Sequence, residues 1–105
     1  MFIADFYTEQ DSTFKKVITL NIDLTDNTIE SSIIDCTGNS YDDIATITDY
    51  TTGEITILIP NTTTKYLSAG VSIYQVELTD IDGNKSKPFK GRIYVDKEIS
   101  QWVLQ

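Results

Sequence analysis

The chain has 105 residues, of which 40% are hydrophobic and 23% are charged, and its formal net charge is −8. This composition indicates one folded domain and excludes an intrinsically disordered chain. The acidic balance argues against nucleic-acid binding, because an acidic surface repels the phosphate backbone.

Period-two alternation of apolar and polar residues predicts a series of strands in the first half of the chain. The segments are residues 2–7, 13–24 and 28–36. The first is a short edge strand, and the second is a single long strand with Leu and Ile along one face. Turn residues 37–40 end the third strand.

The middle of the chain predicts a strand pair followed by a helical turn. Residues 44–50 and 54–59 form the pair, and Pro60 ends it because proline cannot donate to a sheet ladder. Residues 61–69 predict one short helical turn, begun by an Asn or Thr cap, with Leu67 turned inward.

The strongest local signal is an antiparallel hairpin within residues 69–95. Two runs rich in β-branched and aromatic residues flank an Asp-Gly step at residues 82–83. Glycine tolerates the positive φ that tight hairpin turns require. In the first run, Tyr74, Val76 and Leu78 are expected to face the core, while Ile73 lies on the opposite side.

About seven strands at roughly ten-residue spacing predict an all-β sandwich. We expect one sandwich domain over residues 1–97, followed by an apolar C-terminal tail over residues 98–105. The tail carries four large apolar side chains, which are candidate assembly contacts because partners commonly bind such groups. These residues are Ile99, Trp102, Val103 and Leu104. The alternative is that the tail folds back and covers its own sandwich.

Few residues suggest catalysis or metal binding. The chain contains no histidine, which excludes Ser/His and Cys/His nucleophile pairs. Cys36 is the single cysteine, so no internal disulfide forms, and we expect a buried or half-buried structural thiol. Asp80 and Asp82 weakly resemble a calcium loop, but a hairpin turn accounts for both. We predict no enzyme activity, no cofactor, no metal and no small-molecule substrate.

Targeting signals are likewise not evident. Residues 1–5 lack the basic segment of a secretory signal, and no apolar run approaches the roughly 20 residues of a transmembrane helix. We therefore expect a soluble protein made in a cytoplasm, with no membrane partner.

Charge is distributed unevenly along the sequence. Residues 19–64 contain eight acidic side chains and no basic one, whereas five of the eight basic residues fall within residues 85–97. The simpler interpretation is solvated strand faces and a charged edge that discourages sheet pairing. The alternative is electrostatic complementarity between copies of the chain or with a partner.

Polar, strand and turn motifs follow one another in six segments of the chain: residues 10–14, 51–60, 62–70, 74–83, 89–95 and 98–100. Their order resembles that of a family of small phage virion proteins with an immunoglobulin-like β-sandwich. That family occurs in tail, baseplate and neck components and includes the N-terminal modules of baseplate upper proteins. The middle of the chain, residues 25–50, departs most from the pattern.

The resemblance implies an immunoglobulin-like sandwich and a virion structural role, with no catalytic residues to assign. It further implies attachment to other phage structural proteins, and we expect a homo-oligomer located in the virion. A capsid (head) decoration protein is one alternative. A carbohydrate-binding module for host-surface glycans is another, suggested by the tyrosine and tryptophan content.

Overall fold

Nine strands and one helical turn follow one another along residues 2–97, the part of the chain that the computed structural model describes. In chain order the elements are β1 (Phe2–Ile3), β2 (Phe6–Glu9), β3 (Phe14–Thr19), β4 (Thr28–Ile34), β5 (Ser40–Asp42), β6 (Ala45–Asp49), β7 (Glu54–Ile59), α1 (Asn61–Thr64), β8 (Gly70–Thr79) and β9 (Lys85–Asp96).

The strands form two sheets that enclose one core. The larger sheet has the order β9-β8-β4-β5, with β1 and β2 both pairing along the free edge of β9. The smaller sheet has the order β3-β7-β6. These correspond to the G-F-C-C′ and B-E-D strands of the immunoglobulin fold, so the predicted immunoglobulin-like sandwich is confirmed.

Residues from both sheets supply the core. Ile55, Ile57 and Ile59 alternate along β7 and are fully buried, as are Phe89 and Ile93 of β9. Burial of each such side chain stabilises the fold by about 1.5–3 kcal/mol. The alternation predicted for these strands is therefore the pattern that separates the core from the solvent.

The first edge strand differs from its prediction in two ways. It is broken into β1 and β2, and both pair in parallel with β9, whereas the remaining strand pairs are antiparallel. The register is the same on both sides of the break, since Phe2 is paired with Phe89 and Phe6 with Ile93. The split and the addition of β5 raise the strand number above the predicted seven.

A close approach of two backbones explains the break. A Cβ atom at Gly91 would collide with the carbonyl oxygen of Ala4. That same oxygen accepts a 2.7 Å hydrogen bond from the hydroxyl of Tyr74, and Asp5 Oδ1 accepts one from the Arg92 amide at 3.1 Å. Burial, and then the nearby Asp5 carboxylate, raises the pKa of Tyr74 to about 12. Side chains thus replace part of the backbone ladder at this point.

The long strand expected over residues 13–24 is shorter in the structure. β3 ends at Thr19, because the chain turns at Asn21, whose φ is +58°. Ile22 is consequently 53% exposed, although Leu24 returns to the core. Asparagine tolerates this left-handed conformation better than most residues, and alternation of side chains gives no warning of it.

The connection from β7 to β8 contains the predicted helical turn. α1 spans only Asn61–Thr64, and Leu67 is fully buried as expected. The expected Asn or Thr cap is wrong, since Pro60 occupies the N-cap position and offers no side-chain acceptor. The hydroxyl of Thr13, from a distant part of the chain, accepts a 3.3 Å hydrogen bond from the Asn61 amide. The Thr64 hydroxyl donates a 2.8 Å hydrogen bond to the Ser12 carbonyl, which fixes α1 beside the loop that precedes β3.

The Asp-Gly hairpin between β8 and β9 is confirmed. Asp80 Oδ1 accepts hydrogen bonds from the backbone amides of Asp82 and Asn84, at 3.0 and 2.9 Å, and Gly83 has a φ of +85°. These contacts hold the pKa of Asp80 below its usual range, chiefly through the Asn84 amide. Asp80 is therefore occupied by the turn itself, as the hairpin interpretation requires.

Candidate functional site

The outer face of the larger sheet is the most distinctive surface of the described residues. Along β8 the side chains of Ser72, Tyr74 and Val76 point into the core, so those of Val71 and Ile73 point to solvent. The same alternation runs along the neighbouring strands. An outer face of this kind is expected to be polar, because it contacts water.

One end of this face is apolar instead. Five side chains from β2, β9, β8 and β4 form what we call the apolar patch: Tyr7, Tyr94, Val71, Ile73 and Ile34. Their strands place them side by side, since Tyr94 is paired with both Tyr7 and Val71, and Ile34 is paired with Ile73.

The patch is well exposed. Tyr7 is 73% exposed, Ile73 63% and Ile34 49%, and the rings of Tyr7 and Tyr94 stack with centroids 5.0 Å apart. The combined exposed apolar area is about 400 Å², within the range in which the largest patch on a protein surface is often functional. Singly exposed apolar residues are ordinary, whereas a contiguous group across four strands indicates a contact surface.

Charges of opposite sign lie on the two sides of the central strand β8. On β9, Lys90 and Arg92 point outward, and we call them the basic column. On the other side, Glu30 of β4 and Asp42 of β5 point outward, and we call them the acidic column. The outer residues Ile73 and Gln75 of β8 separate the two columns.

The acidic column borders an open depression of about 380 Å³. Its lining includes Glu30 and Asp42 of the acidic column, together with Glu77, Gln75 and Ser32. Within residues 2–97, no three carboxylate or thiol groups converge in a way that would hold a metal ion. The depression therefore offers negative charge and hydrogen-bond acceptors without the geometry of a metal centre.

Asp35 is a buried carboxylate, and it has a structural role. It lies just after β4 and accepts hydrogen bonds from the hydroxyl and amide of Thr37, at 2.7 and 2.9 Å, and from the Asn39 amide at 3.0 Å. Its second oxygen accepts one from the Ser68 amide at 3.1 Å. Burial raises the pKa of Asp35, but these hydrogen bonds outweigh burial and hold the pKa well below its usual range.

Cys36 follows directly and corrects the expectation of a buried or half-buried thiol. Its side chain is exposed, and its Sγ donates a weak hydrogen bond to the Ala69 carbonyl at 3.5 Å. The preceding Asp35 takes the buried position, because the turn after β4 directs the next residue outward.

The four predicted assembly residues of the tail, Ile99, Trp102, Val103 and Leu104, lie outside the described residues. Their role stays a prediction. Among the described residues, Val95 is paired with Gly70 and Tyr94 with Val71, so β9 ends beside the apolar patch.

The residues of the apolar patch were missed as a group by sequence reasoning. A signal was present, because Val71 and Ile73 occupy water-facing positions of an alternating strand. Recognising the group also required the pairing of Ile34 with Ile73 and of Tyr7 with Tyr94, and periodicity does not give that pairing.

No helix among the described residues is long and apolar enough to cross a membrane. No protein-family model and no curated protein sequence matches the chain.

Proposed function

We propose that this protein is a structural attachment module of a phage virion, located in the tail, baseplate or neck region. In this role it is made in the host cytoplasm, binds neighbouring virion proteins and carries out no catalysis. The apolar patch is the observation that carries the attachment function, because an exposed apolar surface across four strands is stabilised when a partner covers it.

The virion assignment rests on the order of the segments that resemble phage virion modules. Those segments supply β7, the α1 connection and the β8–β9 hairpin, all of which build the sandwich that carries the patch. A rigid sheet is also a suitable support for a contact surface, since its residues are ordered before the partner arrives.

The direct test is to purify particles from an infected culture whose phage encodes this chain and to probe them by mass spectrometry and immunogold electron microscopy. We expect a fixed number of copies per particle, with label at the tail, baseplate or neck. Label on the head would favour the capsid decoration alternative. Particles without the protein would refute the virion proposal.

A pair of matched variants tests the patch itself. Ile73→Lys changes an outward β8 residue within the patch, whereas Val17→Lys changes an outward β3 residue, 53% exposed, on the opposite sheet. When each variant replaces the wild-type protein during infection, we expect Ile73→Lys to reduce incorporation at least about tenfold and Val17→Lys to leave it unchanged. Equal incorporation of both variants would remove the patch from the proposal.

Carbohydrate binding is the second candidate, and the stacked pair of Tyr7 and Tyr94 favours it. Aromatic rings exposed on a flat surface can pack against the apolar face of a sugar ring. A glycan array probed with the wild-type chain and with Tyr7→Ala decides between the candidates. Binding that is lost in Tyr7→Ala would favour a glycan-binding function, while an array without signal would leave protein attachment as the proposal.

A further inference from the structure

We infer that the partner covering the apolar patch is a second copy of this chain, packed face to face through the larger sheets about a twofold axis parallel to β8. The inference rests on the proposed attachment function and names its partner. It follows from the position of β8, the placement of charge on either side of it, and the area that the face offers.

The position of β8 makes the outer face suitable for pairing with itself. β8 is the central strand of the larger sheet, with β9 and then β2 on one side and β4 and then β5 on the other. A rotation of 180° about an axis along β8 therefore places β9 of one copy on β4 of the other. The outer residues of β8 lie on the axis and meet their own counterparts; they include Val71, Ile73, Gln75 and Glu77. Glu77 is the charged one among these four, and its carboxylate is paired with Lys85 of the same chain at 3.6 Å, which lessens the repulsion between the two copies of Glu77.

The charges agree with this rotation. Four outer residues form one row across the sheet, each paired with the next on the neighbouring strand. In order they are Lys90, Gln75, Ser32 and Asp42. After the rotation, Lys90 of one copy lies over Ser32 of the other, with Asp42 about 4.8 Å away on the next strand. The flexible lysine side chain can span that distance. Each dimer contains this contact twice.

The next row supplies the apolar part of the interface. Arg92, Ile73 and Ile34 are neighbours in register, so the rotation packs Ile73 on Ile73 and lays the Arg92 stem over Ile34. A guanidinium group is weakly hydrated and suits such an interface.

Charge also excludes the other face-to-face arrangement. A twofold axis perpendicular to the strands would place β9 on β9 and β4 on β4. The basic column would then face a basic column, and the acidic column an acidic one. Like charges brought together at an interface cost several kcal/mol. The axis along β8 brings together one such pair, the two Glu77 carboxylates, each already paired with a Lys85, so this axis is favoured.

The area is sufficient for a stable dimer. The five strands β2, β9, β8, β4 and β5 have 4, 12, 10, 7 and 3 residues, which at about 3.3 Å per residue and 4.8 Å between strands give a face of roughly 600 Å² per copy. Specific protein–protein interfaces bury about 600–1,000 Å² per partner, and two aligned sheets pack well at their usual angle of about 30°.

Charge reversal on each column, followed by mixing, tests the arrangement. One variant carries Lys90→Glu with Arg92→Glu, and the other carries Glu30→Lys with Asp42→Lys. Each chain has a mass of 11.8 kDa. At about 0.1 mM protein, we expect light scattering to give the wild type a mass twice that of one chain. Each variant alone should be a monomer, with its dimer Kd raised at least about 100-fold. A 1:1 mixture of the two variants should form a heterodimer. In it, each column of one variant faces a column of opposite charge in the other variant, at both of the symmetry-related contacts.

With the full chain, three results would overturn the inference: a monomeric wild type, variants that remain dimers, or a mixture that stays monomeric although circular dichroism shows both variants folded. A chain ending at Lys97 is the control for the tail. We expect it to remain a dimer, and its dissociation would assign the contact to residues 98–105 instead.

Dimerisation and incorporation into particles are measured separately, so either one can fail alone. A monomer that is still incorporated into particles through the patch would refute the dimer and keep the attachment role. A dimer that is absent from particles would keep the interface and refute the virion role.

Discussion

Replacing Asp35 should loosen the contact between two connections of the sandwich. Its carboxylate joins the β4–β5 turn, through Thr37 and Asn39, to the α1–β8 connection, through the Ser68 amide. In Asp35→Ala all of these donors lose their acceptor. The turn amides are exposed to water and recover part of the loss, whereas Ser68 is half-buried and recovers less.

The expected magnitude follows from the kind of hydrogen bond. A hydrogen bond to a charged group contributes about 1.5–3 kcal/mol, and exposed turn bonds contribute less, so Asp35→Ala should lower the free energy of unfolding by about 3 kcal/mol. Asp35→Asn retains one oxygen for the turn but presents an amide N–H to Ser68, and should lower it by about 1.5 kcal/mol. For a domain of this size each 1 kcal/mol lowers Tm by about 4–8 °C.

Urea denaturation followed by circular dichroism measures these differences, and Asp49→Ala is the matched control. Asp49 Oδ1 accepts the same local bonds from the hydroxyl and amide of Thr51, and a longer one from the Thr52 amide, so these bonds stay within the β6–β7 turn. We expect a clearly smaller loss for Asp49→Ala. If Asp35→Ala is no more destabilising than Asp49→Ala, the bond to Ser68 does not contribute and the reasoning is wrong.

The same carboxylate predicts a dependence of stability on pH. Because the pKa of Asp35 is lowered in the folded protein from 3.8, the unfolded chain takes up the proton first as the pH falls. The contribution of Asp35 to the free energy of unfolding is therefore complete above about pH 5 and is lost progressively below about pH 4. Asp35→Asn should show a shallower loss of stability from pH 5 to pH 3 than the wild type, and equal slopes would contradict the assigned cause.

Three further substitutions test the packing around β8 and β9. Tyr74→Phe removes the hydrogen bond to Ala4 and should destabilise the fold by about 1 kcal/mol in urea denaturation. Folding raises the pKa of Tyr74 to about 12, so the stability that its hydroxyl provides is complete below pH 10 and is lost between pH 10 and about pH 12. The free energy of unfolding should therefore fall less steeply over this range in Tyr74→Phe than in the wild type. Gly91→Ala places a methyl group against the Ala4 carbonyl and should lower Tm by at least about 5 °C, whereas an unchanged Tm would mean that β1 and β2 shift freely. Ser72→Ala removes a buried hydroxyl that has no hydrogen-bond partner among the described residues and should stabilise the fold by about 1 kcal/mol, while a loss of stability would reveal an unrecognised partner.

Local chemistry explains which parts of the fold were predictable from sequence. The Asp-Gly turn, the alternating isoleucines of β7 and the inward Leu67 all depend on neighbours within a few residues. The end of β3 at Asn21 was missed because a single residue with positive φ leaves the alternation of its neighbours intact. The exposed Cys36 was missed because the turn geometry decides which of two adjacent residues is buried.

Long-range pairing explains what was not predictable. The apolar patch depends on Ile34 lying beside Ile73 and on Tyr7 lying beside Tyr94, and these pairs are far apart in the chain. Register between distant strands is set by the whole core and not by any one segment. The charge asymmetry was visible in the sequence, but its arrangement on the two sides of β8 required the strand order.

The parallel pairing of β1 and β2 with β9 has a consequence for how the chain folds. Strands near residue 5 cannot find their partner until residues near 92 are available, and loop closure over that length is entropically unfavourable. We expect the local β8–β9 hairpin to form early and the first strands to dock last, in the millisecond-to-second range typical of sandwiches with distant contacts. Until they dock, the edge of β9 is open, and at high protein concentration the first strands of another chain can pair with it in their place.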